Sequence, residues 1–128
     1  MQATQPNSEK KTVLFVDDEE MVLKTGSLML RKLGYSVLTA YRGQEAIEIF
    51  KKNKVAFVLL DMQMPGMNGY EIYYQLKKIQ PKVKVLLASG YVGDQSEKRL
   101  INVGFDGFIQ KPFNLKQLSE KIEDILVN

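Results

Sequence analysis

The chain has 128 residues, enough for one domain whose core needs neither a disulfide nor a structural metal. Cysteine and histidine are both absent, which removes thiol and imidazole chemistry and argues against a zinc site. Eighteen Lys+Arg against fifteen Asp+Glu leave a formal charge of +3; the two signs are interspersed, so the surface reads as solvated and no nucleic-acid footprint is expected. Residues 1–11, MQATQPNSEKK, are polar and lack the apolar stretch of a secretory signal, and are expected to be a flexible lead-in outside the fold. No window approaches the roughly 20 apolar residues of a membrane span, so no membrane contact is expected and a cytoplasmic location is.

Thr12 to Val16, TVLFV, reads as a short buried strand that ends on Asp17 and Asp18. Glu20 to Lys32 follows as a helix, with Val22, Met29, Leu30 and Leu33 at roughly helical spacing, Gly26 allowing close approach to the sheet, and Gly34 as the stop. Glu19 and Glu20 fall in its first turn, where the helix dipole favours acids, and that structural role suffices for them. Tyr35 to Ala40 is the next strand and Gly43 to Lys52 the next helix.

The run Ala56 to Asp61 has the length and Val/Leu/Phe content of a strand buried on both faces, and it stops on one carboxylate, Asp61. Taken alone, that acid could equally cap a turn. After the Pro65-Gly66 break, Asn68 and Glu71 have capping-box spacing and open a helix from Gly69 to about Ile79, with Ile72, Leu76 and Ile79 as its buried stripe. Tyr70, Tyr73 and Tyr74 are read as packing and surface residues. Lys84 to Ala88 is the fourth strand and runs into Ser89. Asp94 and Glu97 repeat the capping spacing before a weakly apolar helix ending near Gly104. A fifth strand, GFIQ, leads to Lys111-Pro112-Phe113, and Asn114 with Gln117 opens the last helix, which carries Leu115, Leu118, Ile122, Ile125 and Leu126 on one face.

Five strands alternating with five helices specify an α/β doubly wound parallel sheet, because parallel neighbours need crossover connections. All strand carboxyl ends then lie on one edge, so Asp17, Asp18, Asp61, Ser89 and Lys111 converge. Three carboxylates in one cleft need counter-charge, which Lys111 and a hard divalent ion, Mg²⁺ by preference, would supply. The set reads as phosphoryl transfer: Asp61 as nucleophile forming an acyl phosphate, Asp17 and Asp18 holding the ion from one side, and Ser89 and Lys111 facing them from the other. No P-loop or Gly-rich nucleotide fingerprint is present, which points to a small phosphodonor or a phosphorylated protein and away from bound ATP.

At FVDDEE, LLDMQMPGMNG, ASGY and FIQKPF the sequence resembles the receiver domain of two-component response regulators, over residues 12–128, and within that family the receivers associated with hybrid sensor histidine kinases. The resemblance implies a flavodoxin-like sheet of order 2-1-3-4-5. It implies Asp61 as phosphoacceptor, Asp18 as a direct Mg²⁺ ligand, Asp17 as a ligand mostly through water, and Asp61 and the Gln63 backbone carbonyl as the remaining protein ligands. Ser89 matches the hydroxyl that follows the phosphoryl group in the family switch, Lys111 the phosphate-binding lysine, with a cis Lys111-Pro112 bond, and Phe108 the switch aromatic, where Tyr is common. The implied partners are a sensor histidine kinase, in cis or in trans, and a histidine phosphotransfer protein, met on the face of the fourth helix, fifth strand and fifth helix, with the chain a monomer or weak dimer. No separate substrate turnover is expected. A Mg²⁺-dependent phosphatase is the enzyme alternative, but the position where such enzymes usually carry a second acid is Gln63 here. A binding-only receiver is the third reading. Tyr91, two residues past Ser89, is expected to shield the phosphoryl group from water.

Overall fold

A computed structural model describes residues 10–62, 66, 68–90 and 104–127. The elements are β1 (Thr12–Val16), α1 (Glu20–Lys32), β2 (Ser36–Ala40), α2 (Gly43–Lys52), β3 (Phe57–Asp61), α3 (Gly69–Ile79), β4 (Val85–Ser89), β5 (Gly107–Gln110) and α4 (Leu115–Val127). The helix expected from Asp94 lies outside the described residues, so α4 is the fifth helix of the sequence expectation. All strand pairs are parallel and the order is β2-β1-β3-β4-β5, the flavodoxin-like arrangement. No helix among the described residues is long and apolar enough to cross a membrane.

Alternation along the strands builds two cores, one on each sheet face. Val13 and Phe15 of β1, Phe57 and Leu59 of β3, and Leu86 and Ala88 of β4 pack with Leu23 and Leu30 of α1 and Leu118, Ile122 and Ile125 of α4. Leu14, Val16, Val58, Leu60, Val85 and Leu87 point the other way, against Ile47 and Phe50 of α2 and Ile72, Tyr73 and Leu76 of α3. With both faces covered, β3 and β4 are buried throughout, which is why their sequences read as unbroken apolar runs.

Local chemistry sets the helix ends. α1 has Glu20 in its first turn and Arg31 and Lys32 in its last, each complementing the helix dipole. It stops where Gly34 turns to φ 102°, in the left-handed region, with the Gly34 N–H donating to the Arg31 carbonyl at 2.9 Å. At the start of α3 the Glu71 N–H donates to Asn68 Oδ1 at 3.0 Å and the Asn68 N–H to Glu71 Oε1 at 3.1 Å. Asn114 and Gln117 make the same reciprocal pair before α4, at 2.8 and 2.9 Å.

Two expected stripes differ. On α1 the buried residues are Leu23, Gly26, Ser27 and Leu30, while Val22 and Met29 are half-buried. Gly26 sets this rotation: a Cβ there would lie 2.4 Å from Phe15 Cε2, so the helix rests directly on the ring. On α3 Ile79 is exposed, because the chain leaves the helix there, and Tyr73 fills the stripe. Its ring sits 4.2 Å from that of Phe105 and its hydroxyl donates to the Gly104 carbonyl at 2.8 Å. Tyr35 lies outside β2 and packs edge-on against Phe57.

Candidate functional site

Strand register brings the acids together. Val16 pairs with Leu60, so the residues that follow, Asp17 and Asp61, leave adjacent strands side by side. The Asp17 N–H extends the β1–β2 ladder to the Ala40 carbonyl at 3.1 Å. Across β4 and β5, Ser89 pairs with Gln110, and the Lys111 N–H donates to the Ser89 carbonyl at 2.7 Å. Asp17, Asp61, Ser89 and Lys111, distant in sequence, thus reach one edge, as the parallel topology requires.

Asp17 is 0% and Asp61 4% exposed, and two buried carboxylates demand compensation. Lys111 supplies part of it. Its Nζ lies 3.0 Å from Asp17 Oδ2, 3.3 Å from Asp61 Oδ1 and 3.8 Å from Glu19 Oε1. The lysine therefore sits among the acids and not opposite them. Burial works against its charge, but the hydrogen bond to Asp17 and the charges of Asp61 and Asp17 outweigh burial and hold its pKa above the ordinary 10.5. Asp17 Oδ1 also accepts the Glu19 N–H at 2.9 Å, which fixes the turn from β1 into α1.

Asp18, Glu19, Asp61, Ser89, Gly90 and Lys111 line a recess of about 310 Å³. Beside it, a mostly apolar groove of about 420 Å³ runs between α1 and Pro112-Phe113, with Met21, Val22 and Met29 on its wall. The carboxylates of Asp17, Asp18 and Glu19 bring oxygens within 4.8 Å of one another. Four acids with one ammonium leave an excess of negative charge, and oxygen donors suit a hard cation, so the donor set fits Mg²⁺. Glu19 was assigned only a dipole role from sequence; its place at the rim depends on the extended backbone of the N-cap position, which no local pattern announces.

Ser89 is buried at the end of β4 and belongs to the recess. Phe108 is buried too, packed in the core shared with α2 and α3. The Lys111-Pro112 bond is cis. Gln63 and Tyr91 lie outside the described residues.

A parallel sheet of order 2-1-3-4-5 with an acid-lined recess at its carboxyl edge defines a flavodoxin-like α/β domain. The chain belongs to the response regulator receiver domain family, which it matches over residues 13–123, and is thus a receiver domain of two-component signalling. It is 38% identical over 114 residues to the Autoinducer 1 sensor kinase/phosphatase LuxN of Vibrio campbellii (strain ATCC BAA-1116), covering 89% of this chain. To the sensor kinase CckA of Brucella abortus (strain 2308) it is 37% identical over 121 residues, covering 93% of this chain. The chain spans only 13% of the length of either relative. Among solved structures, chemotaxis protein CheY4 of Vibrio cholerae superposes with a TM-score of 0.84 at 27% identity, over 91% of this chain and 99% of that one.

Proposed function

We propose that the chain is the phosphoacceptor of a two-component phosphorelay, with Asp61 as the residue that takes the phosphoryl group from a phosphohistidine donor. The observation that carries this reading is the Asp61 carboxylate itself: buried at the carboxyl end of β3, 3.3 Å from the Lys111 ammonium, and part of the wall of an acid-lined recess. An Asp61 carboxylate oxygen attacks phosphorus, the O–P bond forms as the N–P bond to the donor imidazole breaks, and the imidazole leaves. Lys111 neutralises charge on the transferring oxygens and the Ser89 hydroxyl bonds one of them. Asp17, Asp18 and Asp61, with the Gln63 carbonyl, would hold Mg²⁺, which when bound supplies further positive charge to the phosphoryl oxygens.

In this reading Ser89 moves toward the phosphoryl group and Phe108 follows by packing, which alters the surface of the expected fourth helix, β5 and α4 for partner binding or onward phosphotransfer. The receiver unit runs from residue 12 to residue 128. A sensor histidine kinase in the cytoplasm, in cis or in trans, is the donor, and a histidine phosphotransfer protein is the acceptor where transfer continues. Turnover of a separate substrate forms no part of the function.

Intact mass after incubation with Mg²⁺ and acetyl phosphate is the test. A single phosphoryl adduct is expected in the parent and in neither Asp61→Asn nor a chelated sample. An Asp61→Asn protein labelled as fast as the parent overturns the assignment.

A further inference from the structure

Positive and negative side chains are interspersed along the sequence but sorted in space. The connecting helices run against the parallel strands, so helix ends and strand starts share the amino edge of the sheet, opposite the acid recess. There α1 ends on Arg31 and Lys32, α2 on Lys51 and Lys52, and α3 with Lys77 and Lys78 in its last turn. The segments leading into β1, β3 and β4 add Lys10, Lys11, Lys54, Lys82 and Lys84. Eleven of the chain's eighteen Lys and Arg thus stand at one edge, and all but Lys77 and Lys84 are exposed. Backbone bonds join these segments side by side: the Lys11 carbonyl accepts the Ser36 N–H at 2.9 Å, the Thr12 carbonyl the Ala56 N–H at 2.7 Å, and the Lys84 carbonyl the Val58 N–H at 2.9 Å. With neighbouring strands about 4.8 Å apart, the cations span roughly 15 Å from β2 to β4, and the helix ends on both faces widen the patch.

Helix dipoles account for only part of this. Three helix C-termini carry about 1.5 negative charges between them, and the five lysines at strand entries cap no helix. α4 also ends at this edge, yet it has no basic residue in its last turn and carries Glu123 and Asp124, so basic ends are not a rule of the fold. Those two acids, Asp106 at 3.9 Å from Lys84 and Glu48 at 3.6 Å from Lys51 are the counter-charges among the described residues; eleven cations against four acids leave an excess of seven.

The side chains choose among polyanions. Ten of the eleven cations are Lys, flexible point charges, where planar bidentate phosphate recognition calls for Arg. Among the described residues no exposed aromatic ring stands at this edge to stack a base, and helix ends face it where a nucleic-acid groove would need a helix side. Two large exposed hydrophobics do stand there, Ile79 and Val127, 40% and 81% exposed at the ends of α3 and α4. Lysines flanked by apolar tips suit a surface that rests on anionic lipid. We propose that the amino edge docks on an anionic phospholipid surface, its lysines against the headgroups and Ile79 and Val127 at the acyl boundary. The acid recess then points away from the lipid.

Flotation of the full chain with vesicles of phosphatidylcholine, alone or mixed in equal parts with phosphatidylglycerol, tests this. It needs no phosphorylation, so its failure is separate from a failure of the Asp61 assignment. Binding is expected to the anionic vesicles only, and should fall as salt shortens the Debye length. Lys32→Gln, Lys54→Gln and Lys82→Gln together should weaken it on the order of a hundredfold, about fivefold per lysine. Lys24→Gln, Arg42→Gln and Lys116→Gln remove the same charge away from this edge and should leave binding unchanged. Ile79→Ser with Val127→Ser changes no charge and should weaken binding severalfold. Circular dichroism verifies that the variants are folded. Absence of binding to the anionic vesicles, equal losses in the two charge variants, no loss in the serine variant, or tighter binding to duplex or single-stranded DNA than to the vesicles overturns the proposal.

Discussion

Lys111 Nζ lies 3.0 Å from Asp17 Oδ2 although the two residues are 94 positions apart in sequence. The pair fastens the end of β1 to the turn after β5, across the whole width of β3 and β4. Lys111→Gln should cost about 3 kcal/mol in urea unfolding of the metal-free protein, because removing one partner leaves the carboxylate of Asp17 buried and uncompensated. An unchanged midpoint would show that the acids are compensated by other means.

The same pair fixes an alkaline limit. Lys111 holds its proton more tightly when folded than unfolded, so its contribution is complete below the ordinary lysine value of 10.5 and is lost as pH rises through the higher folded value. Tyr35 and Tyr73 add to the loss in the same direction: burial raises both, with Asp106 adding to the effect at Tyr73, so both favour the neutral form when folded. Stability should therefore fall with pH above about 10, and the fall should be shallower in Lys111→Gln; equal slopes in parent and variant would remove Lys111 from the account.

Gly26→Ala sets two effects against each other. Alanine gains about 1 kcal/mol of helix propensity over glycine. The new Cβ, however, meets Phe15 Cε2 at 2.4 Å and Cζ at 2.7 Å, and Phe15 is almost wholly enclosed. Overpacking of this kind costs about 1–3 kcal/mol, so net destabilisation is expected, and Phe15→Leu in the same chain should recover much of it. Thermal unfolding of the two single variants and the double variant measures the coupling.

Tyr73→Phe keeps the ring against Phe105 and removes only the bond to the Gly104 carbonyl. A loss of about 1 kcal/mol follows from one hydrogen bond, whereas Tyr73→Ala should lose about 3–5 kcal/mol by opening the aromatic cluster. Similar losses in both variants would mean that the hydroxyl carries the contact and the ring does not.

Much of this architecture is written locally. The bounds of α1, α2 and α3 follow from apolar spacing and end signals, and the Asn68–Glu71 and Asn114–Gln117 pairs bond as their spacing implies. Parallel topology then gathers Asp17, Asp61, Ser89 and Lys111 at one edge without any need to know side-chain positions. What spacing could not give was the rotation of each helix about its own axis. Contact with Phe15 decides it for α1, and exit of the chain decides it at Ile79. Nor could spacing give the place of Lys111 among the acids or of Glu19 at the rim, since both depend on how two distant turns face each other.

The opening of α3 lies against the backbone just past Asp61: the Gly69 N–H donates to the Met62 carbonyl at 2.9 Å, and a Cβ at Gly69 would come within 3.0 Å of Met62 Cα. About one turn further on, roughly 6 Å along the axis, Tyr73 grips Gly104 where the chain returns toward β5. A single rigid rod thus bears at one point on the strand end that holds the acid and at another on the entrance to a neighbouring strand. The backbone beside Asp61 and Gly104 are thus joined through one helix by contacts in which Ser89 takes no part.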